Sequence, residues 1–341
     1  MNILILGGTR FLGRAFTEEA LKRGYRVTLF NRGTNKGLFP GLEELTGDRN
    51  GDMTALKNRK WDAVIDTSGF APHHIRKTAE VLGDIGHYTF ISSISVYRDW
   101  IPAGIQEDYP LQTISDEKLA ESEKGTLSPY EHYGALKALS EEEAKKHWPG
   151  RVLNVRAGQL VGPFDYTDRL PYWVQRVSQG GQAIVPGRPD RPVQMIDVRD
   201  LAAWVLNMIL QGRAGTYNAT GQKETMAEIL ETCKSVSSST TDFVWADEAF
   251  LLENNIKPWT DMPLWIPEHF PLEGEKEPWK GTFEISIEKA VGAGLTFRPL
   301  EETIRDVYDW EKNREPSDLK AGISREKEKE LLQKWSMKLK L

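Results

Sequence analysis

The sequence predicts an α/β protein, a doubly wound parallel sheet followed by a smaller C-terminal mixed α/β subdomain. Three observations carry that expectation. Short apolar runs alternate with helical patterns through roughly the first 165 residues, the mark of a parallel sheet with helices on both faces. The first of these runs, NILIL (2–6), enters a glycine-rich turn, GGTRFLG (7–13), at the very start of the alternation. Past residue 221 the regularity gives way to a polar patch, SSSTT, and to a stretch rich in proline and tryptophan. Six of the eleven tryptophans fall after residue 240, which marks the C-terminal part as a distinct body with aromatic surfaces.

The elements follow in order. NILIL is a short buried strand. GRAFTEEALKRG (13–24) sets Ala15, Phe16, Ala20 and Leu21 at helical spacing and stops at a glycine. RVTLF (26–30), WDAVIDTSG (61–69) and HYTFISSISVY (87–97) read as further strands, with a helix in PHHIRKTAEVLGDIG between the last two. YGALKALSEEEAKKHW (133–148) is a long helix and RVLNVRAG (151–158) a strand. Residues 163–195, with GRPDRP near their end, read as an excursion, after which QMIDVRDLAAWVLNMIL (194–210) and GTYNATG (215–221) return to the sheet. A dinucleotide-type domain is therefore expected over 1–165 plus about 194–221, and a substrate-binding subdomain over about 166–193 and 222–341. The tail SREKEKELLQKWSMKLKL (324–341) reads as an amphipathic helix docked through Leu331, Leu332, Trp335 and Leu339.

Composition narrows the function classes. A net charge of −6 gives no general attraction to nucleic acid or to an anionic membrane. No apolar run approaches the roughly 20 residues of a membrane helix, and the N-terminus shows no basic leader, so a cytoplasmic protein is expected. Cys233 is the only cysteine, which excludes an intramolecular disulfide and a cysteine zinc site. Six scattered histidines form no metal-binding spacing, so no metal is expected.

A glycine turn between a first strand and a first helix sets backbone N–H groups and a positive helix end against a pyrophosphate. Gly7, Gly8 and Gly13 fit this Rossmann arrangement, Gly13 letting the helix approach the sheet. NAD sites usually place an acid at the end of the second strand, and here Asn31 and Arg32 stand there. A guanidinium grips a 2′-phosphate that a carboxylate would repel. Arg10 and Arg32 together therefore point to NADP(H), with NAD(H) the alternative; the plainer reading makes both ordinary solvated arginines.

Forty residues past Ser93, in FISSISVY, comes SPYEHYGALK. Tyr133 and Lys137 are four apart at a helix start and share a face, whereas Tyr130 is followed at that spacing by Gly134. A tyrosine is a poor base near neutrality, but a neighbouring ammonium favours its phenolate. Tyr133 then exchanges a proton with a substrate hydroxyl or carbonyl, and a strand-end serine holds the same oxygen.

On these residues the chain resembles a short-chain dehydrogenase/reductase of the extended type, the NAD-dependent epimerases and dehydratases acting on nucleotide sugars. The likeness runs to about residue 220 and recurs in SIEKAVGAGLTFRPLEETIRDVYDW (286–310). It implies catalytic roles for Ser93, Tyr133 and Lys137, with Lys137 also on the nicotinamide ribose. It implies an adenine contact for Asp48 and a cofactor-lining loop in DTSG (66–69). The implied cofactor set is Gly7, Thr9, Arg10, Phe11, Leu12, Gly13, Asn31, Arg32, Asp48, Arg49, Thr67 and Ser68, together with Tyr133 and Lys137. For the small-molecule substrate it implies Ser95, Arg169 and Arg188 as contacts, in a region where Arg176, Arg191 and the tryptophans near Trp259 also lie. A homodimer is also in keeping with the family. Arg10 replaces the middle glycine of the family turn, and GGTRFLG is similar to a branch with reductases, epimerases and chloroplast stem-loop RNA-binding proteins. Ile94 and Ser95 replace the Asp-Glu pair of the dehydratases, which argues against a 4,6-dehydratase.

Overall fold

Alternate residues of the central strands serve opposite faces of one sheet. Ile3, Ile5, Ile65, Ile91 and Val155 pack on one side, and Leu4, Leu6, Val64, Phe90 and Val152 on the other. Strands covered on both faces must be apolar throughout, which is why NILIL and AVID carry so few polar side chains. The computed structural model describes residues 1–128, 130–315 and 319–340; Pro129 of the SPYEHYGALK stretch and Leu341 of the tail lie outside the described residues.

The order is β1 (Asn2–Leu6), α1 (Phe11–Lys22), β2 (Arg26–Asn31), β3 (Glu43–Thr46), β4 (Ala63–Asp66), α2 (Pro72–Leu82), β5 (His87–Ser93), α3 (Asp116–Glu123), α4 (Tyr133–His147) and β6 (Val152–Ala157). Then come β7 (Gln159–Val161), α5 (Arg169–Ser178), β8 (Gln182–Pro186), β9 (Pro192–Asp197), α6 (Val198–Leu210) and β10 (Gly215–Ala219). The chain continues with β11 (Lys223–Thr225), α7 (Met226–Ser237), β12 (Asp242–Ala246), α8 (Glu248–Glu253), α9 (Glu288–Gly292), α10 (Leu300–Lys312) and α11 (Arg325–Lys338). Seven strands pair in the order β10-β6-β5-β4-β1-β2-β3, all parallel. The order reverses between β1 and β4, and open α/β sheets bind ligands at the carboxyl ends of strands beside such a reversal. The smaller sheets β11-β9-β7 and β12-β8 carry a second core with α5, α7, α10 and α11. Cys233 of α7 is fully enclosed there, and burial pushes its thiol far up.

Several elements differ from the sequence expectation. Helix α1 starts at Phe11 rather than Gly13, with extended Arg10 as its N-cap. The strand expected over 87–97 ends at Ser93, and 94–96 is a tight 3₁₀ turn capped by the Ser93 hydroxyl, which accepts from Ser95 N. The excursion at 163–195 contains helix α5 and strand β8. In α11, Leu331 and Trp335 are buried as expected, but Leu339 is exposed.

Two glycines set the geometry of the sheet's carboxyl edge. A Cβ on Gly13 would overlap the Gly7 carbonyl oxygen, so the first helix can lie against the turn only as glycine. A Cβ on Gly134 would overlap the Ser95 carbonyl oxygen in the same way, so α4 presses its first turn onto the 94–96 turn. Alanine normally gains about 1 kcal/mol over glycine inside a helix. At Gly134 the backbone overlap outweighs that gain, and Gly134→Ala is expected to destabilise the protein by about 1–3 kcal/mol in urea unfolding.

Candidate active site

Three strand ends meet at this edge: the glycine turn after β1, the 66–69 loop after β4, and Ser93 at the end of β5. Gly7 has φ +94°, where a side chain is strained, and a Cβ there would lie 2.7 Å from Thr67 Oγ1 and 3.2 Å from Ser68 Cβ. The Thr67 hydroxyl donates to Leu6 O at 2.9 Å and ties the two turns together. At the end of β2, Asn31 Oδ1 accepts from Gly33 N at 2.7 Å. Asn31 Nδ2 is buried and has no hydrogen-bond partner among the described residues. A glycine cradle that no side chain could enter and an unmatched donor at the second strand's end both fit a bound dinucleotide, the amide taking a ribose hydroxyl.

The remaining residues of the expected cofactor set divide. Thr9 is half-buried in the turn, and Leu12 and Phe11 are buried at the start of α1, where Phe11 meets Tyr166 edge-on at 6.2 Å. Arg32 and Asp48 are exposed. Arg10 stacks its guanidinium over Tyr166, 5.3 Å from the ring centre. Arg49 turns inward onto Asp66, pairing through two 2.8 Å contacts, and also donates to Ser68 Oγ and Thr78 Oγ1 at 3.0 Å.

Ser93, Ser95 and Tyr133 come together. Ser93 Oγ donates to Ser95 Oγ at 3.0 Å, and the Ser93 hydroxyl is close enough to the Tyr133 phenol to favour its ionised form. Burial pushes the Tyr133 hydroxyl up to about 12, the Ser93 hydroxyl pulling only partly against it. The sequence argument expected an adjacent ammonium to favour the phenolate. Instead Lys137 Nζ donates to Gly69 O and Ile91 O, both at 2.6 Å, and lies 5.8 Å from the Tyr133 ring centre. Burial lowers its own pKa to about 7. The Tyr133 hydroxyl is thus held in its protonated form.

Behind the site, Arg156 of β6 pairs with Glu141 of α4 in a buried contact of 2.8 Å, and Ser92 Oγ donates to the same carboxylate at 2.5 Å. This pair ties the helix carrying Tyr133 and Lys137 to the two strands beside it. Sequence reading missed it, although an arginine in a strand otherwise apolar, NVRAG, and a glutamate two turns past Tyr133 were the available signals.

On the expected substrate side, Arg188 is exposed and committed to Glu268 and Asp190. Arg176 is buried against Glu328, a structural pair. Arg169 lies 4.6 Å from the centre of the Trp259 ring, which stacks on Phe283. Arg191 is 3% exposed; one Nη meets Glu268 at 2.8 Å, while Nε and the other Nη have no partner among the described residues. Trp100 donates to Ile94 O at 3.3 Å and meets Trp279 edge-on at 5.1 Å, so the aromatic wall begins beside Ser93 and Ser95. Asp165 is fully buried with one oxygen unpartnered among the described residues, and burial raises its carboxyl to about 6.

Fold and site together define a short-chain dehydrogenase/reductase of the extended type. The sequence profile of the NAD dependent epimerase/dehydratase family matches residues 3–220, and the chain belongs to that family. It is 25% identical over 247 residues to the chloroplast stem-loop binding protein of 41 kDa b from Arabidopsis thaliana, covering 65% of this chain and 59% of that protein. It is 25% identical over 252 residues to dTDP-glucose 4,6-dehydratase from Xanthomonas campestris, covering 65% of this chain and 71% of that enzyme. The structure of UDP-glucuronic acid 4-epimerase from Bacillus cereus in complex with NAD superposes with a TM-score of 0.63 at 15% identity, over 92% of this chain and 97% of that one. Among the described residues no group of His, Cys, Asp or Glu could hold a metal ion, and no helix is long and apolar enough to cross a membrane.

One electrostatic consequence is measurable without substrate. Asp66 is wholly buried, and burial alone would raise its carboxyl; the Arg49 charge and hydrogen bonds from Tyr88 and Ser68 hold it down at about 2. A carboxylate depressed in the folded state contributes stability that is complete above its unfolded pKa of about 4 and is lost as pH falls through the folded value. Between pH 4 and 2 the wild type should therefore lose on the order of 2 kcal/mol through this group. Unfolding of Asp66→Asn should show a correspondingly shallower pH slope in that window.

Proposed function

We propose that the protein is an NAD(P)-dependent oxidoreductase acting on a secondary alcohol or ketone of a sugar or nucleotide sugar, with Tyr133 as acid/base. The observation that carries this reading is the meeting of Ser93 and Tyr133 at the strand edge beside the glycine cradle. In this division of labour, residues 1–165 and about 194–221 hold the nicotinamide dinucleotide, and about 166–193 and 222–341 hold the substrate.

The nicotinamide, when bound, supplies or accepts the hydride. The chain's own residues do the rest. Ser93 hydrogen-bonds the reacting oxygen, Tyr133 gives it a proton as the carbonyl becomes an alcohol, and the reverse transfer runs in oxidation. The turn at Ile94 and Ser95 presents no carboxylate there, so elimination of water lacks its acid and base. Arg191, buried with two unmatched N–H donors, supports an anionic substrate, as a diphosphate or a sugar acid would be. The aromatic wall of Trp100 and Trp279 is suited to a sugar face.

Selectivity for NADP(H) falls mainly to Arg32, exposed past β2, because Arg10 is stacked on Tyr166. In a fluorescence titration NADPH should bind more tightly than NADH, and Arg32→Ala should abolish that preference, a loss of about tenfold or more for one charge-assisted phosphate contact. Equal affinities in the wild type would remove the phosphate-reading role and return the choice to NAD(H).

With any alcohol or ketone found to be turned over, Tyr133→Phe should lower kcat by about 10²–10⁴-fold while leaving nicotinamide affinity nearly intact. Unchanged turnover would overturn the acid/base assignment. Absence of any nicotinamide binding would instead favour a binding role akin to that of the stem-loop binding relative.

A further inference from the structure

The 66–69 loop is pinned from beneath. Both Asp66 oxygens meet Arg49, one also accepts from Ser68 N at 3.0 Å, and the other from the Tyr88 hydroxyl at 2.7 Å. Arg49 extends the clamp to Ser68 Oγ in the loop and Thr78 Oγ1 in α2. Its side chain is only 10% exposed and that of Asp66 is 0% exposed, so both Nη groups are spent below the site rather than offered to a ligand. A Cβ on Gly69 would lie about 3 Å from Asp66 Oδ2 and closer still to the Phe90 ring, so the loop closes directly over the pair. The carbonyl of that same Gly69 receives Lys137 Nζ.

We propose that Arg49 and Asp66 are positioning residues for Lys137: the buried pair fixes the Gly69 carbonyl, and through it and their combined field they set where the lysine's amine sits and how readily it is charged. The proposal rests on the reading above only in calling Lys137 part of the reacting set. Among the described residues Lys137 has no carboxylate partner; its nitrogen meets two carbonyls and the faces of Phe90 at 4.6 Å and Phe70 at 5.3 Å. The charged and titratable groups facing it are few. Asp66 comes from β4, Arg49 from the segment after β3, Tyr88 from β5 bound to Asp66, and His74 from α2, whose carbonyl accepts from Arg49. From its own helix come Tyr133 and Glu141, the latter paired to Arg156. Burial lowers the amine's pKa; Asp66 opposes that, Arg49 reinforces it, and Glu141 opposes it again.

The test is a titration of the full-length protein labelled with ¹³Cε-lysine, the Lys137 resonance being the one lost in Lys137→Met. In the wild type its midpoint should lie well below those of the surface lysines. Asp66→Asn should move the midpoint down and Arg49→Met should move it up, each by at least about half a pH unit, and Arg49→Lys should restore it towards the wild-type value. Midpoints that stay put, or that move the same way in both neutralised variants, overturn the proposal. If either single variant fails to fold for want of its partner, Arg49→Met/Asp66→Leu, which removes both charges together, carries the test. Its Lys137 midpoint should differ from that of the wild type, because the Gly69 carbonyl loses its support from beneath, and an unchanged midpoint overturns the proposal. No nicotinamide is needed, so failure of the oxidoreductase reading would show in cofactor titrations and leave this measurement standing.

Discussion

The site depends on one close approach. Gly134 has no side chain, so the first turn of α4 can rest on the carbonyl of Ser95. Tyr133 stands immediately before that glycine and Lys137 one turn after it, and both inherit their places from the contact. The turn they rest on is capped by Ser93, whose hydroxyl also lies near Tyr133. A single backbone contact thus sets strand end, turn and helix in mutual register, and the reacting groups follow from chain geometry more than from any direct bond among themselves. The Glu141–Arg156 pair secures the helix one turn beyond Lys137, so α4 is held at both ends of the face that carries Tyr133 and Lys137.

Much of the architecture was legible because it is written in periodicity. Apolar runs of strand length between amphipathic helices force a parallel sheet, and the glycine turn announces which end of it carries function. Ser93, Tyr133 and Lys137 were readable as a group because strand end and helix start impose their own geometry. The short strands β3, β7, β8, β11 and β12 were not legible: each is three to five residues long, partly polar, and defined by its neighbours. The break after Ser93 was hidden for a similar reason, since ISV continues an apolar run while its backbone turns.

Side-chain direction was the larger loss. Arg10, Arg32 and Arg49 look equivalent as letters near a phosphate-type turn. One lies on an aromatic ring, one faces solvent, and one is buried on a carboxylate. The differences come from partners distant in sequence, Tyr166 for Arg10 and Asp66 for Arg49. Arg188 and Arg191 invert the expectation in the same manner. Glu268 and Asp190 together occupy the exposed arginine, whereas Glu268 occupies the buried one only in part, so the less conspicuous residue keeps donors unmatched among the described residues.

The lone cysteine gives the C-terminal body an internal clock. Cys233 sits in the core formed by α5, α7, α10 and α11, away from the central sheet, with its thiol enclosed and strongly disfavoured as thiolate. A thiol reagent reaches it only when that core opens, since the thiolate is the reacting form and neither it nor a path to it exists in the closed state. The rate of labelling therefore counts openings of that second core. Breathing of the sheet that carries the glycine turn goes unrecorded, so one natural atom separates the motions of the two halves.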